Sequence, residues 1–159
     1  MMGLDVNTPK GQATLVQEQE AAALLARMGL TYCETNKAGS AAVDAILMKG
    51  KRIMYVAEAK CRSMDRGTLM GTWGGEWLVT YDKIAKLAQC AALLRVPALG
   101  LLYMTKEPVL AVVRIANEDG EFERHMRIER TRTQATVNGG SANRVNAYID
   151  MRGAKLLHP

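Results

Sequence analysis

Asp44, Glu58 and Lys60 are the residues whose types and spacing point to chemistry. Glu58-Ala59-Lys60 closes an apolar run, Ile53 to Ala57, that reads as a strand. Residues i and i+2 of a strand point the same way, so Glu58 and Lys60 share a face with Met54 and Val56. Asp44 lies in the preceding apolar run, Ala42 to Met48, and Lys49-Gly50-Lys51 reads as the turn of a hairpin whose second strand is Arg52 to Lys60. With a three-residue turn Met48 pairs with Arg52. Asp44 then falls opposite Val56 and diagonal to Glu58, with Cβ atoms roughly 7 Å apart. A two-residue turn reverses the parity and separates the carboxylates unless a bulge intervenes.

Two carboxylates at the end of buried strands repel and desolvate one another, which calls for positive charge between them. Lys60 is one source and a hard divalent cation is another. All-oxygen ligation suits Mg²⁺ or Mn²⁺, which hold a scissile phosphate and lower the pKa of an attacking water. A neighbouring ammonium orients that water or offsets charge developing on the phosphate. The plainer reading makes Glu58 and Lys60 an exposed pair and Asp44 a strand cap.

The elements that must position these groups follow from pattern and punctuation. Thr14 to Met28 reads as a helix stopped by Gly29, Leu30 to Glu34 as a short strand, and Thr35 to Ser40 as a loop. After the hairpin, Cys61 to Leu78 is glycine-rich and reads as irregular, with Trp73 and Trp77 embedded in it. Thr80 to Leu94 is a second helix, with Ile84, Leu87, Ala88 and Ala91 on one face and Pro97 beyond its end. Ala98 to Met104 and Leu110 to Ile115 are strands, Asn138 to Ser141 is a turn, and Val145 to Met151 alternates like a last strand. The order predicts an α/β sandwich around a mixed sheet. No GxGxxG or GxxxxGK[ST] supports a nucleotide-binding fold.

These residues resemble the PD-(D/E)XK nuclease superfamily, whose signature is an acidic residue on one strand and (D/E)xK on the next. Here those are Asp44 and Glu58-Ala59-Lys60, with Val43 at the position of the proline. The likeness is strongest to archaeal-type Holliday junction resolvases and related phage nucleases and covers residues 14–104. Their first helix carries a glutamate spaced ahead of a glycine as Glu18 is from Gly29, and Ser40-Ala41-Ala42-Val43-Asp44 resembles their loop before the aspartate.

The resemblance implies a restriction-endonuclease-like α/β/α sandwich with a central mixed β-sheet. It implies a Mg²⁺-dependent endodeoxyribonuclease (Mn²⁺ substituting) that cuts DNA, with four-way junctions as a candidate substrate. A homodimer in the cytoplasm of a prokaryotic or phage-infected cell goes with it. It assigns Asp44, Glu58 and the Ala59 carbonyl to the metal, Lys60 to the nucleophilic water, and Glu18 to completing the site from the first helix. Leu15, Glu18, Ala22 and Leu25 make a stripe at helical spacing, which sets Glu18 on the packed face, whereas Glu20 sits on another. Lys83 stands where relatives often carry a polar or basic residue facing the site; a solvated helix lysine is the alternative. Restriction- or repair-type cutting of duplex or single strands, and a non-catalytic nucleic-acid-binding module, are the competing functions.

Composition bounds the rest. The 159 residues, 48% hydrophobic and 23% charged, fit one globular domain over 1–159 with its core at about 14–115. Met1 to Gln12 lacks the basic-then-apolar pattern of a secretion leader, and no apolar run is long enough for a membrane span. Three scattered cysteines, Cys33, Cys61 and Cys90, form no CxxC pair and suit a reducing cytoplasm. The net charge of +5 is compatible with a polyanionic partner. Residues 117–159 form a basic extension, with Arg124, Arg127, Arg130 and Arg132 close together. With Arg62, Arg66 and Lys83, Arg124, Arg127 and Arg130 are the candidate DNA contacts, the alternative for the arginine run being a solvated face. Trp73 and Trp77 are either base-stacking platforms or core residues.

Overall fold

A computed structural model describes residues 8–35, 41–132 and 143–159. The turn expected at Asn138 to Ser141 and most of the loop expected at Thr35 to Ser40 lie outside the described residues. Helix α1 spans Pro9–Ala26 and begins earlier than the Thr14 expected from periodicity. The cause is local: Thr8 Oγ1 accepts a hydrogen bond from the Gly11 amide at 3.0 Å, and Pro9 takes the first helical position, where its missing N–H costs nothing. Gly29, at φ 79°, turns the chain out of the helix.

Strands β1 (Thr31–Glu34), β2 (Ala45–Lys49) and β3 (Arg52–Arg62) follow. Helix α2 (Arg66–Met70) and strand β4 (Glu76–Thr80) occupy the segment expected to be irregular. Asp65 caps α2 by accepting from the Thr68 amide at 2.7 Å. Helix α3 (Tyr81–Leu94) starts where β4 ends, and Arg95, in the left-handed conformation at φ 56°, terminates it. Strands β5 (Ala98–Met104), β6 (Val109–Ala116), β7 (Met126–Arg132), β8 (Asn143–Asp150) and β9 (Lys155–Leu157) complete the chain.

A six-stranded sheet runs β1-β2-β3-β5-β6-β9, with β3 and β5 parallel and the other neighbours antiparallel. This is the mixed sheet of an α/β fold. Every residue of β5 is buried, as an unbroken apolar run in the middle of a sheet covered on both faces requires. On one face Ala45, Leu47, Ala57, Leu101 and Leu110 pack against Leu24 and Leu25 of α1. On the other, Val56, Leu102, Met104, Val113 and Ile115 meet Ile84 and Leu87 of α3. A second antiparallel sheet, β4-β8-β7, joins that layer through Trp77, Val79, Ala147 and Ile149.

The described residues of the 117–159 segment are therefore built into the fold. They supply the edge strand β9 of the main sheet and two strands of the small sheet. No helix among the described residues is long and apolar enough to cross a membrane.

Candidate active site

The site begins with a bulge in the hairpin. The turn has two residues, Gly50 and Lys51, with Gly50 at φ 60°, and Lys49 pairs with Arg52 and Met48 with Ile53. The register then shifts: Leu47 pairs with Tyr55, Ile46 with Val56 and Ala45 with Ala57, leaving Met54 as the extra residue. The three-residue turn expected from sequence is thus corrected. Its parity survives, because the bulge adds back the residue that the shorter turn removes. Ile46, not Asp44, lies opposite Val56, and Asp44 sits one step beyond the last β2–β3 pair.

There the backbone of Asp44 donates to the Ala57 carbonyl at 3.1 Å, and its Oδ2 accepts the Ala59 amide at 3.0 Å. The aspartate side chain replaces the next rung of the ladder. A strand residue exchanges its N–H and C=O with the same neighbour, so the Ala59 carbonyl also points to the side where β2 has stopped.

Glu58 points toward α3 and is 2% exposed. Burial raises its carboxyl pKa first, the Asp44 carboxylate raises it further, and Lys60 and Lys83 only partly oppose them, leaving it pushed up to about 7. Lys60 Nζ lies 3.6 Å from Glu58 Oε1 and 4.0 Å from Asp44 Oδ2.

Lys83 arrives from the first turn of α3. Its Nζ stands 3.3 Å from Glu58 Oε1 and 3.7 Å from Asp44 Oδ1. The lysine expected to be either site-facing or solvated is at the carboxylates. Burial depresses the Lys60 ammonium despite the two carboxylates. Burial also works against Lys83, but Glu58 and Asp44 outweigh it and raise its pKa.

The donor set suits a hard cation. Glu58 Oε1 and Asp44 Oδ1 converge on the single positive charge of Lys83, and strand alternation directs the Ala59 carbonyl to the side where its amide meets Asp44 Oδ2. All three ligand types are oxygen, as Mg²⁺ or Mn²⁺ prefers. Among the described residues no group of three or more His, Cys, Asp or Glu side chains forms a metal cluster.

Glu18 does not join Asp44 and Glu58 in such a cluster. It lies on the α1 side of the sheet, half-buried, where it lines a cavity of about 30 Å³ with Tyr32, Ala59, Lys60, Cys61 and Tyr103. Tyr32 is held above its ordinary pKa by burial first, then by the charges of Glu18 and Asp44. Glu20 is engaged elsewhere, accepting a 2.7 Å hydrogen bond from the Tyr103 hydroxyl.

The basic candidates separate. Arg66 is paired with Glu107 at 2.7 Å, and Arg127 is paired with Glu76 at 3.1 Å and with Glu129 while its guanidinium lies 4.0 Å from the Tyr148 ring centroid. Arg124 donates to the carbonyls of Asp150 and Arg152. Arg62 is exposed and donates to the carbonyl of Cys61, at 3.2 Å, and Arg130 is exposed on β7. Trp77 belongs to the core, whereas Trp73 is 53% exposed.

Of the two readings open for Lys83, site-facing or solvated, the contacts with Glu58 and Asp44 select the first. Nothing local distinguishes this lysine from Lys86, which pairs with Asp82 on the helix surface. In comparisons with known proteins the chain matches no family model and no curated protein.

Proposed function

We propose that the protein is a Mg²⁺-dependent endodeoxyribonuclease of the PD-(D/E)XK type, acting on branched, Holliday-junction-like DNA. The observation that carries this reading is the convergence of Asp44, a buried Glu58, Lys60 and Lys83 within 4.0 Å contacts at the open end of the hairpin. A buried carboxylate set beside a second, half-buried one is costly unless something uses the pair. The restriction-endonuclease-like reading of the fold is supported by α1 and α3 on opposite faces of a mixed sheet whose third strand carries the signature.

In this reading Asp44, Glu58 and the Ala59 carbonyl would hold the cation, which would supply Lewis acidity toward the phosphate and the attacking water. Lys60, whose ammonium is depressed by burial, takes or orients a proton of the attacking water. Lys83 neutralises the carboxylates when no divalent ion is present, and stabilises negative charge on the phosphate when it moves aside. Glu18 shapes the electrostatics of the edge from the α1 side. A junction needs two strands cut at related positions, which a symmetric dimer provides.

The test is cleavage of labelled four-way junction, duplex and single-stranded DNA, with Mg²⁺ or EDTA, by wild type and Lys60→Ala. Mg²⁺-dependent cutting of the junction that Lys60→Ala abolishes is the expected result. Cutting of duplex or single strands alone keeps the chemistry and replaces the substrate. Binding without cutting of any DNA makes the protein a binding module and ends the catalytic reading.

A further inference from the structure

We infer that the outer end of the β7–β8 ribbon is an arm that enters the major groove of duplex DNA next to the carboxylate–lysine cluster. The cluster's nuclease role rests on the reading above. The placement comes from the small sheet. Strand β4 pairs with β8 from Glu76↔Asp150 to Thr80↔Asn146 and stops, because Thr80 hands the chain to α3. Strands β7 and β8 continue together through Arg130↔Val145, Thr131↔Arg144 and Arg132↔Asn143. Among the described residues three pairs therefore extend past the sheet, about 10 Å at roughly 3.3 Å per residue. The root of this extension is Thr80, three positions before Lys83, whose ammonium contacts both carboxylates. Asn146, 8% exposed, fastens the root by donating its side-chain amide to Thr131 Oγ1.

The extension differs in charge from the sheet that carries it. Below the root, arginines are spent on the fold: Arg127 on Glu76 and Glu129, Arg152 on Asp150, and Arg124 on two carbonyls. Above it stand Arg130, Arg132 and Arg144 with no acidic residue among the six. No ion pair joins Arg130 or Arg144 to a carboxylate among the described residues, and both are exposed.

Cross-strand partners share a face, so Arg130 and Arg132 lie with Val145 on one face and Arg144 with Thr131 on the other. Cationic side chains on both faces do not suit a ribbon lying flat on a surface. They suit one inserted between two phosphate backbones, and a major groove about 12 Å wide admits a two-stranded ribbon.

The experiment measures binding of a labelled DNA duplex in EDTA over a range of KCl, for wild type, Arg130→Gln/Arg144→Gln and Arg130→Lys/Arg144→Lys. Thermal melting of each variant checks the fold, and cleavage of the same duplex and of a junction is followed in Mg²⁺. The Gln pair is expected to bind more weakly, with the slope of log K against log salt less steep by about two, one for each phosphate no longer neutralised, and the Lys pair to restore the slope.

A Gln pair with the wild-type slope and affinity overturns the arm, as does an effect confined to self-association of this edge. An equal change on an RNA duplex of the same sequence overturns groove entry, since the A-form major groove is too narrow for side chains to read. The two readings fail separately. Wild type that cuts DNA while the Gln pair binds unchanged removes the arm alone. An arm-dependent slope with no cutting of any DNA supports the arm and removes the nuclease.

Discussion

Replacing Glu58 by glutamine should change how stability depends on pH, in a direction the burial of the site dictates. Glu58 has an ordinary carboxyl value of 4.5 in the unfolded chain and is pushed up to about 7 in the fold, by desolvation first and the Asp44 charge second. Between those two values the folded protein keeps a proton that the unfolded chain has lost. Stability must then fall as pH rises through this window, because unfolding releases the proton. Below pH 4.5 both states hold the proton and above about 7 neither does, so the contribution is flat outside the window. At about 1.36 kcal/mol per pH unit the loss is on the order of 3 kcal/mol. A glutamine side chain keeps the shape and the hydrogen-bonding capacity but cannot titrate. Urea unfolding in EDTA at a series of pH values, wild type against Glu58→Gln, reads the difference directly. The wild-type advantage at pH 4.5 should shrink steadily to about pH 7, with the variant more stable relative to wild type at the upper end. Parallel stability curves would refute the assignment of a desolvated, charge-crowded carboxyl to Glu58.

Lys83→Met should raise the affinity for Mg²⁺ or Ca²⁺, measured by calorimetry, because its ammonium holds the two carboxylates that a divalent ion needs; equal or weaker binding would place the ion elsewhere. The same variant in EDTA should be about 1–3 kcal/mol less stable, since Lys60 alone then faces two carboxylates. Gly100→Ala puts a methyl group 2.9 Å from both Ile115 Cδ1 and Trp77 Cζ3. Overpacking there should cost about 1–3 kcal/mol in urea unfolding, and a loss below about half a kcal/mol would show that the Trp77 layer yields freely. Tyr103→Phe removes the hydrogen bond to the exposed carboxylate of Glu20 and should cost about 1 kcal/mol. A neutral result would mean that water serves Glu20 equally well.

Much of this molecule is legible along the chain. The helix from Tyr81 to Leu94 and the strand from Ala98 to Met104 follow from periodicity, from Pro97 and from a continuous apolar run, all of which act over a few residues. The pairing of Asp44 with Glu58 and Lys60 is equally local, since a hairpin brings together residues close in sequence. Where local signals compete, the boundaries move. Thr8 and Pro9 start α1 earlier than its apolar stripe indicates, and a five-residue helix and a five-residue strand are hidden in a glycine-rich stretch with no long period to reveal them.

The tertiary structure decided what distance along the chain conceals. A bulge at Met54 set the facing of Asp44, and whether a turn takes two residues or three is settled by how both flanking strands pack. Lys83 reaches Glu58 across 25 residues only because β4 ends above the site and α3 begins there. The arginines after Phe122 look alike in sequence, yet Glu76, Glu129 and the carbonyls of Asp150 and Arg152 occupy Arg124 and Arg127 and leave Arg130 and Arg144 exposed. Residue type and local period determined which charged groups this chain carries; the pairing of distant strands, through the partners it offers or withholds, determined which of those charges are engaged and which stand exposed.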